Sequence, residues 1–432
     1  MATPLEQLAA SISADVATVT QLLQARGEPA PSFDETSAVT IGKTTAKPDT
    51  ALLEARNRLI NAAHDLLRLA QGPVDHIVTL AYGATDTANL ATVVRFEIPQ
   101  KVPFGSTISL PELAAATGLD EDVLARTVRY AITNGVFCEP EQGRIAHTAA
   151  SATLARNKNL HDMTVFNSGF STRIVVSLAD ALKAQQEKQP DAPEAAFNLS
   201  YPGYVNLFDY MGKHPDASQG YFNYLDGRSQ LPRYQVGNVV QSWDWTSLGS
   251  GTIVDVGGSS GHTSIALARN FPQLHFVVED INKEGLEMGR RIIAQDADLQ
   301  QRITFREHDF FHPQPVQADV YFFRHVLHDW SDADCIRIIQ ALVPALKDGA
   351  RVLVSEGVMP EPPATRSALL EDKQVRIDDH VMLAAHVARE RSVEQYTRLF
   401  QAAHPGFELV GVSGNAVGVH HSLVEYKFTR RE

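Results

Sequence analysis

"TIVDVGGSSGHTSIALAR", residues 252–269, decides the fold. Thr252 to Val256 is a short apolar run of strand length, consistent with a buried strand. Glycines at 257, 258 and 261 mark a tight turn, and the segment after Gly261 has helical spacing. A strand, glycine turn and helix in this order aim backbone amides and the positive end of a helix dipole at a ligand. Working outward, "HFVVED" (275–280), "ITF" (303–305), "DVYFFRHVL" (319–327) and "RVLVSEGV" (351–358) read as four more strands separated by helical stretches. This alternation predicts an α/β protein with a doubly wound parallel sheet. "GFELVGVSGNAVGVHHSLVEYKF" (406–428) reads as a closing hairpin on that sheet.

Two ligand families use such a turn. The dinucleotide fingerprint is Gly-x-Gly-x-x-Gly, but Ser259 stands where its second glycine is needed. Asp255-x-Gly257-Gly258-x-x-Gly261 matches instead the first motif of S-adenosylmethionine (SAM) methyltransferases. Asp280 closes the second strand 280 − 257 = 23 residues on, where an acid can take both ribose hydroxyls. The bland alternative is a glycine turn with no ligand.

At 432 residues the chain is too long for one small core, so two domains and an appendage are expected. The net charge of −13 argues against nucleic acid, whose binding rests on concentrated Lys and Arg. Cys138 and Cys335 are about 200 residues apart and form no metal or redox spacing, so both are read as reduced thiols. "MATPLEQLAASISADVATV" lacks a basic start and a long apolar stretch, and no run of about 18 apolar residues occurs. The expectation is a cytoplasmic enzyme with no membrane partner.

Residues 1–50 read as a helix (3–26) and a Pro/Ser/Thr-rich linker, and a second helix from about Asp49 to Gln71 is stopped by Gly72-Pro73. The stripe of the first helix must be buried somewhere, a partner subunit being one possibility. Residues 51–235 read as a mainly helical second domain and 236–432 as the sheet domain. "ISLPELAAATGLDEDVLARTVRYAITNGVFCEPEQGRIAHTAAS" (108–151) has the pattern of a winged helix-turn-helix. Its second helix opens Asp120-Glu121-Asp122, a poor match to phosphate, so a structural or dimerisation role is favoured over DNA contact. Residues 152–235 are rich in aromatics that suit either a core or an apolar pocket.

"VDVGGSSGH", "VVEDI", "EHDFF", "VYFFRHVLHDWSDADC", "VLVSEGVMPEP" and "RERSVEQYTRLF" follow one another in order. With these motifs the chain resembles the caffeate-type plant O-methyltransferases, and still more the fungal O-methyltransferases of polyketide and other secondary-metabolite pathways. The resemblance implies a class I methyltransferase fold binding SAM and a homodimer built on the winged-helix part. It implies cofactor contacts from Gly257 and Gly258, from Asp280 to the ribose, from Asp309 and Phe310 to the adenine, and from Arg324 to the methionine carboxylate. Asp280-Ile281-Asn282 departs from the family's Asp-Leu-Pro.

SAM carries an activated methyl group, so the enzyme must position an acceptor and remove its proton. A phenol ionises near ~10 and an imidazole near ~6.5, which suits histidine to the task. His328 follows a predicted strand at its carboxyl end, where open α/β sheets bind ligands. The resemblance makes His328 the general base and places Glu356 and Glu390 around it. His325 reads as a mid-strand residue with a structural or supporting role. Ser331-x-x-Asp334 reads as a helix cap. No metal-ligand pattern is present. The resemblance places His161, Phe166, Asn167, Met382 and His386 along the acceptor pocket, although each suits a core equally well.

The expected function is methylation of a phenol or enol hydroxyl. A SAM-binding pericyclase or dehydratase that leaves SAM unspent, and a winged-helix DNA-binding regulator, are the alternatives.

Overall fold

The computed structural model describes residues 2–37, 41, 50–189, 193–360, 370–414 and 419–430. Most of the second half of the 27–50 linker, and the Glu361-Pro362 end of "VLVSEGVMPEP", lie outside the described residues. The chain forms two compact units, Met1–Ala179 with Ser200–Pro232 and Asp180–Leu199 with Arg233–Glu432.

The first unit is mainly helical. Its opening helix, Pro4–Ala25, starts with a capping box between Thr3 and Glu6. Val19 and Leu23 of this helix bury against Leu52 and Ala55, so part of its stripe is covered within the chain. The helical segment Thr50–Arg95 breaks at Gly72, whose φ of 70° and ψ of 173° leave the helix just before Pro73. The second helix thus stops at Gly72-Pro73 as expected, and a further helix follows to Arg95.

Further on come β1 (Ile108–Ser109), the helix Leu110–Thr117, a left-handed Gly118 and the helix Glu121–Thr133. The hairpin β2 (Phe137–Glu141) and β3 (Arg144–His147) follows, and the strand order is β1-β3-β2. Leu113, Leu124, Val128, Phe137 and Ile145 form the core of this element. The acidic start of its second helix has a local cause: the Asp120 carboxylate accepts from the Asp122 and Val123 amides.

The second unit holds a seven-stranded sheet. Its strands are β4 (Thr252–Val256), β5 (His275–Asp280), β6 (Ile303–Glu307), β7 (Val320–Arg324), β8 (Arg351–Gly357), β9 (Phe407–Ser413) and β10 (His421–Phe428). The order is β6-β5-β4-β7-β8-β10-β9, with β10 antiparallel to both its neighbours and the other pairings parallel. The closing hairpin is as read, and its second strand is the one that joins the sheet.

Both faces of the sheet are covered, which explains why the central strands are apolar almost throughout. Along β7, Tyr321 and Phe323 enter one core with the helices Asp332–Leu342 and Val393–Ala403. Val320 and Phe322 enter the opposite core with the helices His262–Asn270 and Lys283–Ile293. The sequence extended this strand to residue 327. It ends at Arg324, because His325 takes a left-handed φ of 55° and leaves the ladder. His325 is therefore not a mid-strand residue.

The glycine turn is bound to its neighbours on two sides. Gly257 and Gly258 donate their N–H groups to the Glu279 carbonyl at 2.8 and 3.0 Å, which ties the turn to β5. On the other side, a Cβ at Gly289 would lie 2.6 Å from the Ser260 carbonyl and closer still to the Phe305 ring. Gly289→Ala should gain roughly 0.5–1 kcal/mol of helix propensity but lose about 2 kcal/mol to overpacking. The expected outcome is a net loss of stability in urea titration; a more stable variant would contradict this packing.

Candidate active site

The carboxyl ends of five parallel strands assemble the site. Asp280, last in β5, accepts from the Ser259 and Asn282 amides, each at 2.8 Å. Burial raises its pKa, against those two bonds. Asp255 lies buried beneath the turn and accepts from the Ser264 hydroxyl at 2.6 Å. Burial pushes its carboxyl up to about 6. A Cβ at Gly257, whose φ is 73°, would sit 2.8 Å from a Val326 methyl and 3.7 Å from the Phe310 ring. Phe310 itself stands edge-on to Trp330, and the Asp309 carboxylate accepts from the Phe311 amide at 3.0 Å. Arg324 donates to the Thr263 hydroxyl at 2.8 Å and to the Tyr234 carbonyl at 3.2 Å. Gly257, Gly258, Asp280 and Phe310 thus surround one turn, with Asp309 next to Phe310 and Arg324 reaching the first turn of the following helix. A turn that only glycine can keep open, with an acid at the next strand end, fits a nucleoside-bearing cofactor such as SAM.

The segment after β7 is held by two side chains. The buried Glu356, on β8, accepts through Oε1 from the Val326 and Leu327 amides at 3.0 and 2.7 Å. Its Oε2 accepts from the Tyr396 hydroxyl at 2.6 Å. Arg391, fully buried, donates to the Leu327 and Trp330 carbonyls, each at 2.8 Å, and to the Asp332 carboxylate at 2.8 and 3.0 Å. Ser331 caps the helix that follows by accepting from the Asp334 amide at 3.2 Å.

His328 sits on the short turn Leu327–Asp329 thus fixed. Its Nδ1 is 2.7 Å from Glu390 Oε1, and both residues are buried. When the imidazole is neutral, an ionised Glu390 keeps its remaining proton on Nδ1 and leaves the lone pair on Nε2. Glu390 Oε2 has no hydrogen-bond partner among the described residues. Burial pulls the imidazole pKa down, but Glu390, Asp329 (3.6 Å from Nε2) and Glu356 outweigh it and hold His328 up at about 10. Nitrogen and oxygen atoms of His328, Glu356 and Glu390 lie within 4.8 Å of one another. Both Glu356 oxygens already accept hydrogen bonds from protein donors.

His386 ends the helix Leu370–His386, which also carries Met382, and its Nε2 is 3.9 Å from the Asp329 carboxylate. Burial lowers its pKa, Asp329 opposing. In the first unit, His161 Nε2 is 3.0 Å from the Val94 carbonyl, so this ring ties two helices together. Phe166 is buried against Phe170 and Tyr224, with centroids 5.0 and 5.1 Å away. Asn167 is exposed and opens a π-helical turn, Asn167–Ser171. His161, Phe166 and Asn167 therefore belong to one unit, and Met382 and His386 to the other. Sequence reasoning passed over Arg391 and Tyr396, although both stand in the quoted "RERSVEQYTRLF". A basic residue next to a predicted functional acid was the available signal for Arg391, but Arg389 on the other side of Glu390 carries the same signal.

A doubly wound sheet with a glycine turn after its first strand, an acid ending its second and an acid–base pair beyond its fourth defines a SAM-dependent methyltransferase. The profile of the O-methyltransferase domain family matches residues 176–408. The chain is 33% identical to O-methyltransferase aoiF of Aspergillus oryzae over 94% of this chain and 95% of that one. It is also 33% identical to the grayanic acid biosynthesis cluster O-methyltransferase of Cladonia grayi, over 97% and 87%. Among solved structures, OxaC superposes with a TM-score of 0.73 at 22% identity, covering 98% of this chain and 100% of that one. LepI in complex with SAM gives 0.71 at 19% identity, covering 98% and 100%, and these two likenesses speak to the fold alone. The chain belongs to the O-methyltransferase family and is a SAM-dependent O-methyltransferase of the fungal secondary-metabolite group.

Arg391→Met would remove the guanidinium from the Leu327 and Trp330 carbonyls, leaving them the weaker Cys335 thiol and, for Leu327, the Trp330 amide at 3.3 Å, and would strip Asp332 of its buried cation. Its expected cost is about 3 kcal/mol in chemical denaturation. A stability within 1 kcal/mol of the parent would show that this clamp is dispensable.

Proposed function

We propose that the enzyme methylates a phenol or enol hydroxyl of a polyketide-like small molecule, with His328 as general base. The observation that carries this reading is the buried 2.7 Å contact between His328 Nδ1 and Glu390 Oε1, which leaves Nε2 to receive a proton. Gly257, Gly258, Asp280, Asp309, Phe310 and Arg324 would hold SAM, which when bound supplies an electrophilic methyl group and a positive sulfonium charge.

The acceptor must lose its hydroxyl proton as its oxygen forms the new bond to carbon. A phenol near ~10 and an imidazole held at about 10 are matched, so the proton moves between them with little free-energy difference. Release of the His328 proton before the acceptor binds is favoured beside a positive charge. Glu390 orients the imidazole and balances the charge it gains, and Glu356 fixes the backbone that carries it. Phe166, Asn167, Met382 and His386 are the proposed acceptor contacts, with His161 supporting from its tie to Val94. The helix-turn-helix and hairpin of residues 108–147 are proposed as a winged-helix dimerisation element of a cytoplasmic homodimer. No helix among the described residues is long and apolar enough to cross a membrane.

The test is formation of S-adenosylhomocysteine with a panel of phenolic and enolic polyketides. His328→Gln should lower kcat about 10²–10⁴-fold. Unchanged turnover in that variant would overturn the base assignment, and acceptor conversion without S-adenosylhomocysteine would replace methylation by chemistry that leaves SAM unspent. The pH dependence follows from the sign of the His328 shift. A raised pKa keeps the base protonated at neutral pH, so kcat/KM should climb with pH toward about 10. Glu390→Gln removes the anion that holds that proton, so the rising limb should move to lower pH while kcat falls at least about tenfold. A limb that stays in place would rule out Glu390 as the partner that sets the basicity of His328.

A further inference from the structure

One hydrogen bond fixes a ring nitrogen in space but not the plane of the ring. With Nδ1 held by Glu390, the His328 imidazole can still rock about that contact, and rocking swings Nε2 away from the acceptor proton. The structure supplies a second restraint. The His325 ring stacks nearly parallel to that of His328, with centroids 5.5 Å apart and planes 19° from parallel. His325 is itself held from its edge: its Nε2 is 2.6 Å from Nε2 of His421, the first residue of β10, and the two rings are nearly perpendicular at 68°. His421 is buried, and it packs beside His420 and Tyr234.

This arrangement has a backbone cost. His325 reaches it with a φ of 55°, a left-handed conformation that disfavours side chains other than Gly, Asn and Asp by about 1–2 kcal/mol. Extended backbone at 325 would continue β7 and direct the ring along the normal to the sheet. The left-handed residue instead turns the chain out of the ladder just before Val326 and Leu327, whose amides Glu356 captures. A strained residue beside the base, with its ring stacked on the base and locked by another element, is poorly explained by core packing.

We propose that His325 is a positioning residue that fixes the plane of the His328 imidazole, and that His421 holds His325 in place. Glu390 thus restrains the base from its edge and the His421–His325 pair restrains it from its face. The inference rests on His328 being the base.

The experiment compares His325→Gly, His325→Asn and His421→Ala with the parent enzyme and with His328→Gln. Gly relieves the left-handed strain, so His325→Gly should unfold at an equal or higher temperature than the parent. Its kcat should nonetheless fall roughly tenfold or more, because a base displaced by a fraction of an ångström loses its alignment. SAM affinity, measured by calorimetry without acceptor, should stay within about twofold, since no proposed cofactor contact changes. Asn accepts positive φ and offers a planar amide that can still bond to His421, so His325→Asn should recover part of the lost kcat. His421→Ala should lower kcat with KM little changed. If His328→Gln abolishes turnover while His325→Gly and His421→Ala keep the parent kcat, the positioning role falls and the base assignment stands. If His328→Gln retains turnover, the base assignment itself falls. A loss of kcat in His325→Gly accompanied by a lower unfolding temperature and weaker SAM binding, with no recovery in His325→Asn, would reduce His325 to a structural residue.

Discussion

The site depends on Glu356, a fully buried carboxylate with all its hydrogen bonds directed at protein. Two backbone amides and one tyrosine hydroxyl converge on it, and the amides belong to the two residues that precede His328. A buried anion is costly unless donors surround it, so the segment after β7 and the helix carrying Tyr396 are both bound to one point. The strand β8 that bears Glu356 lies inside the sheet, next to β7. A residue inside the sheet therefore sets the position of His328, through the two amides that precede it. Arg391 adds the complementary restraint by taking the carbonyls that Glu356, as an acceptor, cannot take.

This division explains what the sequence disclosed. The strands were legible because each must bury both faces, which forces apolar runs such as "TIVDV" and "VYFF". The glycine turn was legible because Gly257 holds a φ of 73° and a Cβ there would lie 2.8 Å from a Val326 methyl. Asp280 was placed by its spacing along two strands, a local property. His328, Glu356 and Glu390 lie on three segments spread over more than sixty residues, and no periodicity connects them. Resemblance to a family singled them out, and the structure then showed two carboxylates with different tasks. Glu390 touches the imidazole, whereas Glu356 touches only the backbone and a tyrosine.

His325 was misread for a physical reason. The apolar pattern continues through "HVL", so a rule based on alternation extends the strand to residue 327. The strand stops three residues sooner because Glu356 captures the next amides and the chain must turn to meet it. Nothing in a local window reports a carboxylate thirty residues away. His161 shows the converse: a histidine in a plausible segment whose ring is committed to the Val94 carbonyl, a contact across 67 residues of chain.

The basicity of His328 follows from the same architecture. Burial alone would make this imidazole a weaker base than one in water, and it does so for His386, where Asp329 at 3.9 Å opposes the shift without reversing it. His328 differs in having Glu390 in direct contact and Asp329 and Glu356 nearby, which reverses the sign. Two histidines near the same Asp329 oxygen thus have their pKa values shifted in opposite directions. The distinction rests on whether a carboxylate touches the ring, as Glu390 touches His328. If His328 is the base proposed above, its lone pair must also point at the acceptor, and the nearly parallel ring of His325 would bear on that second requirement.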